Sequence, residues 1–429
     1  MADTRLRLRV AGAALLLAAS AWALPGRRGF PDPVFTQYPF DQWVEAADHS
    51  TLKWKLHVTP AVLSHHQRLL ARVEVQIDGA DIVRRRGRGK LLILVEVLDD
   101  QGAAYQNHSA IDLEKVEAGL KASNLVYVQS VFLLPGDYRV AAAVVDTTTG
   151  EHGVRTDKAH VAPLRTDPLA EAWRDLPPVE IIAPEELPDG WYLPRLQGRL
   201  HLPAAPPHPL RVEVLLNLAA TTHERGSLRT GDRHLDALLP ALKVLSQIES
   251  PALSLHVSLL DLARRSVVFR QDDVRRLDWP RLRDSLAEAQ PGKIDVPELE
   301  HRREQAAFFV KEVGRRVETS PSEVLIVLSN AVVFETGQDL QAVGIPSAPG
   351  CRVFYLRFHR EGMRLPPPEE GPMRRRRPGL MMPDVEHGGD AADNLASTLK
   401  SLSPRLYDIH TPDQARRAVA AILAEIAAR

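Results

Sequence analysis

The stretch RVEVLLNLAATTHE, residues 211–224, decides how this chain is read. Arg211 to Leu218 is a mostly apolar run of strand length, and a polar loop follows. A strand buried on both faces belongs at the centre of a parallel sheet. Open α/β sheets bind ligands beyond the carboxyl ends of their strands. Here the strand leaves through Asn217, and the loop continues with Ala219 and Thr221.

From Leu210 onward, strand and helix patterns alternate, which predicts a doubly wound, mostly parallel sheet over residues 210–429. Leu253–Leu262 and Ser266–Gln271 read as strands around a turn at Ala263–Arg265. Val324–Leu328, Cys351–Phe358 and Leu406–Ile409 read as further strands. Helices are predicted at His234–Ile248, Pro280–Ala289, Glu298–Val317 and Asn394–Leu402, from apolar stripes at helical spacing. The final helix opens with Thr411-Pro412-Asp413-Gln414, a capping box with proline at the first helical position. Residues 366–390, PPPEEGPMRRRRPGLMMPDVEHGGD, are too rich in proline, glycine and charge to build a core. They read as a disordered surface insertion.

Residues 45–163 show the two-residue alternation of an all-β sandwich. Val73, Val75 and Ile77 point one way, Arg72, Glu74 and Gln76 the other. The proline-rich stretch 164–209 reads as an extended, semi-rigid connector, pinned by Trp191 and Tyr192. The first 23 residues have the layout of a secretory signal peptide: Arg5, Arg7 and Arg9, an apolar run, then Ala21-Trp22-Ala23. A secreted or periplasmic protein is expected, with an uncleaved amino-terminal anchor as the alternative. No later segment is long and apolar enough to span a bilayer.

Lys plus Arg is 54 and Asp plus Glu is 55, a net charge of −1 that gathers neither nucleic acid nor acidic lipid. The single cysteine, Cys351, excludes an internal disulfide and reads as a structural thiol at the start of a strand.

Strand, polar loop, helices, apolar strand and the closing RLYDIHTPDQARRAVAAILAEI (405–426) together resemble a von Willebrand factor type A domain. The stretch LLPGDYRVAAAVVDTTTGEHG (133–153), with Tyr138 after its turn, resembles the last hairpin of immunoglobulin- or fibronectin-like modules. The first resemblance implies a Mg²⁺ site in which D-x-S-x-S ends the first strand and a second acid ends a later one. Here Asn217 stands at the first acid, Ala219 and Thr221 at the two serines, and Asn330, after Ser329, at the second acid. Amides keep an acceptor oxygen but lose both negative charges, so the position does not suit a hard dication. No metal or other cofactor is expected. Both asparagines could equally serve only to bond their loops.

His223-Glu224 lacks the second histidine of a zinc helix, Gly87–Lys90 lacks P-loop spacing, and no G-x-S-x-G elbow is present. The cluster Arg84–Lys90 reads as a solvated turn, and Asp272-Asp273 as solvated carboxylates. The expected function is therefore non-catalytic binding of a protein or a surface polymer. The alternatives are an accessory subunit of an envelope complex docking through 366–390, and an unrecognised hydrolase at the sheet edge with His223 as base.

Overall fold

The computed structural model describes residues 29–46, 51–87, 89–182, 196–218, 235–289, 302–318, 323–332, 345, 348, 350–359 and 393–429. The signal layout, Trp191, Tyr192, Ala219, Thr221, His223 and the insertion 366–390 lie outside them.

After a short helix α1 (Phe40–Glu45) come β1 (Trp54–Val58), β2 (Val62–Leu63) and β3 (Leu69–Asp78). A helix α2 (Gly79–Arg84) follows, then β4 (Lys90–Leu98), β5 (Ala104–Asp112), β6 (Asn124–Leu133), β7 (Gly136–Asp146), β8 (His152–Val161) and β9 (Val179–Ile181). These strands form two antiparallel sheets, one in the order β1-β3-β6-β9 with β2 beside β3, the other β5-β4-β7-β8. Alternate side chains of both, among them Val73, Val75, Val131, Val95, Val97 and Val140, share one apolar core. The outer face of the second sheet is also apolar, because Phe35 and Phe40 cover Leu94, Ala143 and Val145.

Asp78-Gly79 begins a helix rather than closing a turn. The Asp78 side chain caps it, accepting from Asp81 N at 3.1 Å. A Cβ at Gly79 would lie 2.1 Å from the carbonyl oxygens of Leu120 and Ser123, so only glycine fits there. Arg85 is not solvated, since it bridges Glu151 at 2.6 Å and Asp146 at 3.5 Å.

Much of the proline-rich stretch is packed rather than simply extended. β9 completes the first sheet, and β10 (Leu202–Pro203) lies parallel to a later two-residue strand. Ala172, Leu176, Leu200 and Leu202 belong to the core of the carboxy-terminal unit. Two- and three-residue strands leave few ladder positions for proline to disrupt.

The carboxy-terminal unit runs β11 (Leu210–Asn217), α3 (Leu235–Leu245), β12 (Ile248–Glu249), β13 (Leu253–Asp261), β14 (Ser266–Gln271), α4 (Trp279–Ala289) and α5 (Arg302–Glu318). It continues through β15 (Val324–Asn330), β16 (Arg352–Phe358), α6 (Asn394–Leu399), β17 (Arg405–Ile409) and α7 (Pro412–Ala428). It is a mixed α/β fold. Its six-stranded sheet has the order β14-β13-β11-β15-β16-β17, parallel except for β13–β14. Helices α3, α4 and α7 bury one face, through Leu239, Leu242, Leu286, Val419 and Ile422. Helices α5 and α6 bury the other, through Phe309, Val313, Leu395 and Leu399. Each fully buried Leu, Ile or Phe contributes roughly 1.5–3 kcal/mol, so this double burial explains why the central strands are nearly all apolar.

The two units meet at a seam beside the carboxyl end of the sheet. Arg416 of α7 is 1% exposed and bonds Asp167 through Nε at 2.6 Å and Nη2 at 2.8 Å. Its Nη2 also donates to the Leu169 carbonyl at 2.8 Å, and its guanidinium lies over the Trp173 ring. Trp173 Nε1 and Arg416 Nη1 both donate to the carbonyl of Gln67, which holds a φ of 58° in the turn between β2 and β3. In the same turn His65 packs edge-on against Phe358.

Candidate functional site: the carboxyl edge of the sheet

Register builds the candidate site. Asn217 on β11 lies beside Ser329 on β15, one step past the Leu216–Leu328 pair. Ser329 pairs with Arg357 on β16, and Arg357 with Asp408 on β17. Paired residues of a parallel sheet point to the same face. One rung therefore reads Asn217, Ser329, Arg357, Asp408, polar across four adjacent strands that are otherwise apolar inside. The rung sits on the face of α5 and α6, since the residues one step before it, Leu216 and Leu328, belong to the opposite core.

Asn217 is buried, and its Nδ2 donates to Ser329 Oγ at 3.0 Å. Ser329 Oγ donates in turn to the Asn330 carbonyl at 2.7 Å. The Tyr355 hydroxyl, below the rung, donates to the same carbonyl at 3.3 Å. Burial, and then the nearby Asp393 carboxylate, hold the Tyr355 phenol protonated well above its ordinary range. The resemblance puts Asn217 and Asn330 at the two acid positions. The structure joins Asn217 to Ser329, and Asn330 stands one residue further, beside Phe358 of the other face.

Three charged groups unforeseen in the sequence complete the edge. Asp393, at the N-cap of α6, is buried and accepts from the backbone of Leu395 at 3.1 Å and Val332 at 3.2 Å. Arg357 reaches Asp393 through Nη1 at 3.4 Å and Asp408 through Nε at 2.6 Å. His359 Nε2 adds a second contact to Asp408 at 2.6 Å, and its ring stacks on His410. The hydrogen bond to Asp408 raises Arg357 further above its ordinary value. Burial pushes the Asp408 carboxyl up, but bonds from Arg357 and His359 outweigh it and hold the group below the usual carboxylate range.

Among the described residues the donor set differs from the free carboxylates that a hard dication prefers. The groups facing each other are an amide and a hydroxyl already bonded together, and both carboxylates are engaged by one guanidinium. Among the described residues no three His, Cys, Asp or Glu side chains converge as metal ligands. Cys351 lies away from this edge, half-buried at the far end of β16, and burial pushes its thiol up to about 11.

One polar cluster elsewhere was also missed. Asp272 and Asp273 are exposed, as expected, yet both also approach the buried imidazole of His256. The signal lay in LSLHVS, residues 253–258, where Ser254, His256 and Ser258 place polar atoms on one face of a buried strand.

No protein-family model matches the chain, and no curated protein matches it in sequence. Three solved structures are similar at low identity. The crystal structure of the ArnB paralog VWA2 from Sulfolobus acidocaldarius aligns over 67% of this chain and 49% of its own, at 9% identity and a TM-score of 0.27. The chain thus spans about half the length of that protein. The putative ApaA protein from Bordetella pertussis aligns over 27% of this chain and 98% of its own, at 15% identity and a TM-score of 0.18. A structural-genomics target solved by X-ray crystallography aligns over 28% and 95%, at 14% identity and a TM-score of 0.18. Scores this low leave strand order and edge chemistry as the grounds for a functional reading.

Proposed function

We propose that the chain is a binding protein whose von Willebrand factor type A-like unit carries an uncharged, self-bonded amide–hydroxyl pair where the family holds a metal. The strand order, with one antiparallel strand beside a parallel core, supports the fold reading. The observation that carries the loss of metal is the hydrogen bond from Asn217 to Ser329, which ties the first would-be ligand to a neighbouring hydroxyl. The edge then grips a protein or surface polymer without catalysing a reaction there. The amino-terminal unit is read as an immunoglobulin- or fibronectin-like sandwich. Two antiparallel sheets share its core, and the Tyr138 hydroxyl turns back to the Leu134 carbonyl at 2.8 Å, as a corner tyrosine does. The signal layout of residues 1–23 supports export to the periplasm or medium. Among the described residues no helix is long and apolar enough to cross a membrane.

Calorimetric titration of the full chain with Mg²⁺ and Mn²⁺ tests the central claim. No saturable heat is expected up to millimolar metal. Tight binding that disappears in Asn217→Ala would overturn it. Affinity capture with wild type and with an Arg357→Met variant tests the edge as the gripping surface. A partner retained equally by both sinks that part of the proposal.

A further inference from the structure

At the opposite, amino-terminal end of the α/β sheet, three side chains stand in line. Ser254 and His256 are two residues apart on β13 and so point to the same face. Their neighbours Leu255 and Val257 belong to the core under α3 and α7, which places this pair on the side of α5. Ser254 Oγ lies 2.8 Å from His256 Nε2, and His256 Nδ1 lies 2.9 Å from Asp272 Oδ1. His256 is buried with both ring nitrogens engaged, whereas Ser254 is only partly buried and Asp272 is half-exposed. The imidazole is thus held rigidly while the hydroxyl remains within reach of a ligand.

A fourth group lies alongside. Arg211 on β11 is the register partner of Ser254, so its side chain shares that face. Its Nη2 lies 3.6 Å from the buried Glu213 carboxylate, and its Nε is buried with no hydrogen-bond partner. A purely structural cluster should not leave a buried guanidinium N–H unmet, because such a group costs stability. A donor beside a hydroxyl is, however, what a developing oxyanion needs. Asp273, next to Asp272, takes a hydrogen bond from Ser254 and holds a φ of 50°, a backbone state that clusters at functional sites.

We propose that Ser254, His256 and Asp272 form a nucleophilic triad that cleaves carboxylic esters, with Arg211 receiving the oxyanion. The Ser254 oxygen attacks the carbonyl carbon, and its proton passes to His256 Nε2. Asp272 accepts the Nδ1 hydrogen, which fixes the tautomer and stabilises the imidazolium. The tetrahedral intermediate collapses as its C–O bond to the alcohol breaks and His256 returns the proton to the departing oxygen. Water, deprotonated by the same nitrogen, then hydrolyses the acyl-serine, releasing the carboxylic acid and restoring the hydroxyl. Asp273 competes for the serine proton at rest and has no part in the transfer. This site is remote from the carboxyl edge and stands whether or not that edge binds a partner.

The test is labelling of the full chain with a serine-reactive fluorophosphonate, read by peptide mass spectrometry, together with hydrolysis of p-nitrophenyl acetate. A single adduct on Ser254 is expected, lost in Ser254→Ala. The labelling rate should fall by about 100-fold or more in His256→Gln and in Asp272→Asn, yet persist in Asp273→Asn. Circular dichroism verifies that each variant is folded. Absence of a Ser254 adduct in the folded wild type overturns the proposal without recourse to any variant. So does labelling indifferent to His256→Gln.

Discussion

Arg357 holds two carboxylates at once, one of them buried, and shows how a single side chain can set the charge of a whole edge. Replacing it with methionine keeps length and apolar packing but leaves the Asp393 side chain, 2% exposed, without its counter-charge and held by backbone N–H groups. Removing one partner of a buried pair costs roughly 3–5 kcal/mol. Urea denaturation of Arg357→Met should show a loss of that order, and a loss below about 1 kcal/mol would mean that the pair behaves as a surface one. Only part of this edge was legible in the sequence. Asn217 and Ser329 could be singled out because each ends an apolar strand before a loop. Arg357, Asp393 and Asp408 could not, because they meet only through the register of non-adjacent segments. The lone charge in VFYLRFH was nevertheless a sign, since a cation inside an apolar strand demands an anion nearby.

Individual elements were easier to read when their signals were local. The capping box of α7 forms as its residues dictate: Thr411 accepts from Gln414 N, and the Gln414 side chain returns to Thr411 N at 3.0 Å. Thr411→Ala should therefore cost about 1 kcal/mol, measurable as a fall in Tm with the fold unchanged. β14 was delimited to the residue, since a turn precedes it and Asp272 follows it. By contrast β5, AYQNHSAID, carries few apolar residues and borrows its order from β4. β9 has three residues, too few for any periodicity, and exists because the edge of β6 was open to pair. α2 has six residues, too few for a helical stripe, and its local signal is Asp78, a helix cap that a turn would use equally well.

On the scale of the whole molecule, the seam joins what sequence reading left as two units on an arm. Arg416→Leu removes a guanidinium that is 1% exposed and leaves Asp167 and the Gln67 and Leu169 carbonyls short of donors. A loss of roughly 3–5 kcal/mol is expected, with one calorimetric transition splitting into two. The seam also makes stability depend on pH. Burial lowers His65 to about 4. Burial, and then the charges of Lys243 and Arg68, lower His66 to about 3. Above pH 6.5 both rings are neutral folded or unfolded, and stability is full. As pH falls below 6.5 the unfolded chain takes up protons that the folded chain refuses, so stability declines until about pH 4 for His65 and about pH 3 for His66. Denaturation midpoints at pH 7, 5 and 4 should fall in that order, and a His66→Gln variant should show a shallower decline.

The hydrogen bond between Gln67 and Arg416 spans 349 positions of sequence. A ribosome makes the acceptor long before the donor. Until α7 emerges, Asp167, the Trp173 ring and the turn around Gln67 present an unmatched, partly apolar surface to whatever chaperone holds the nascent chain. Excising α7 would therefore damage the earlier-made unit as well as its own.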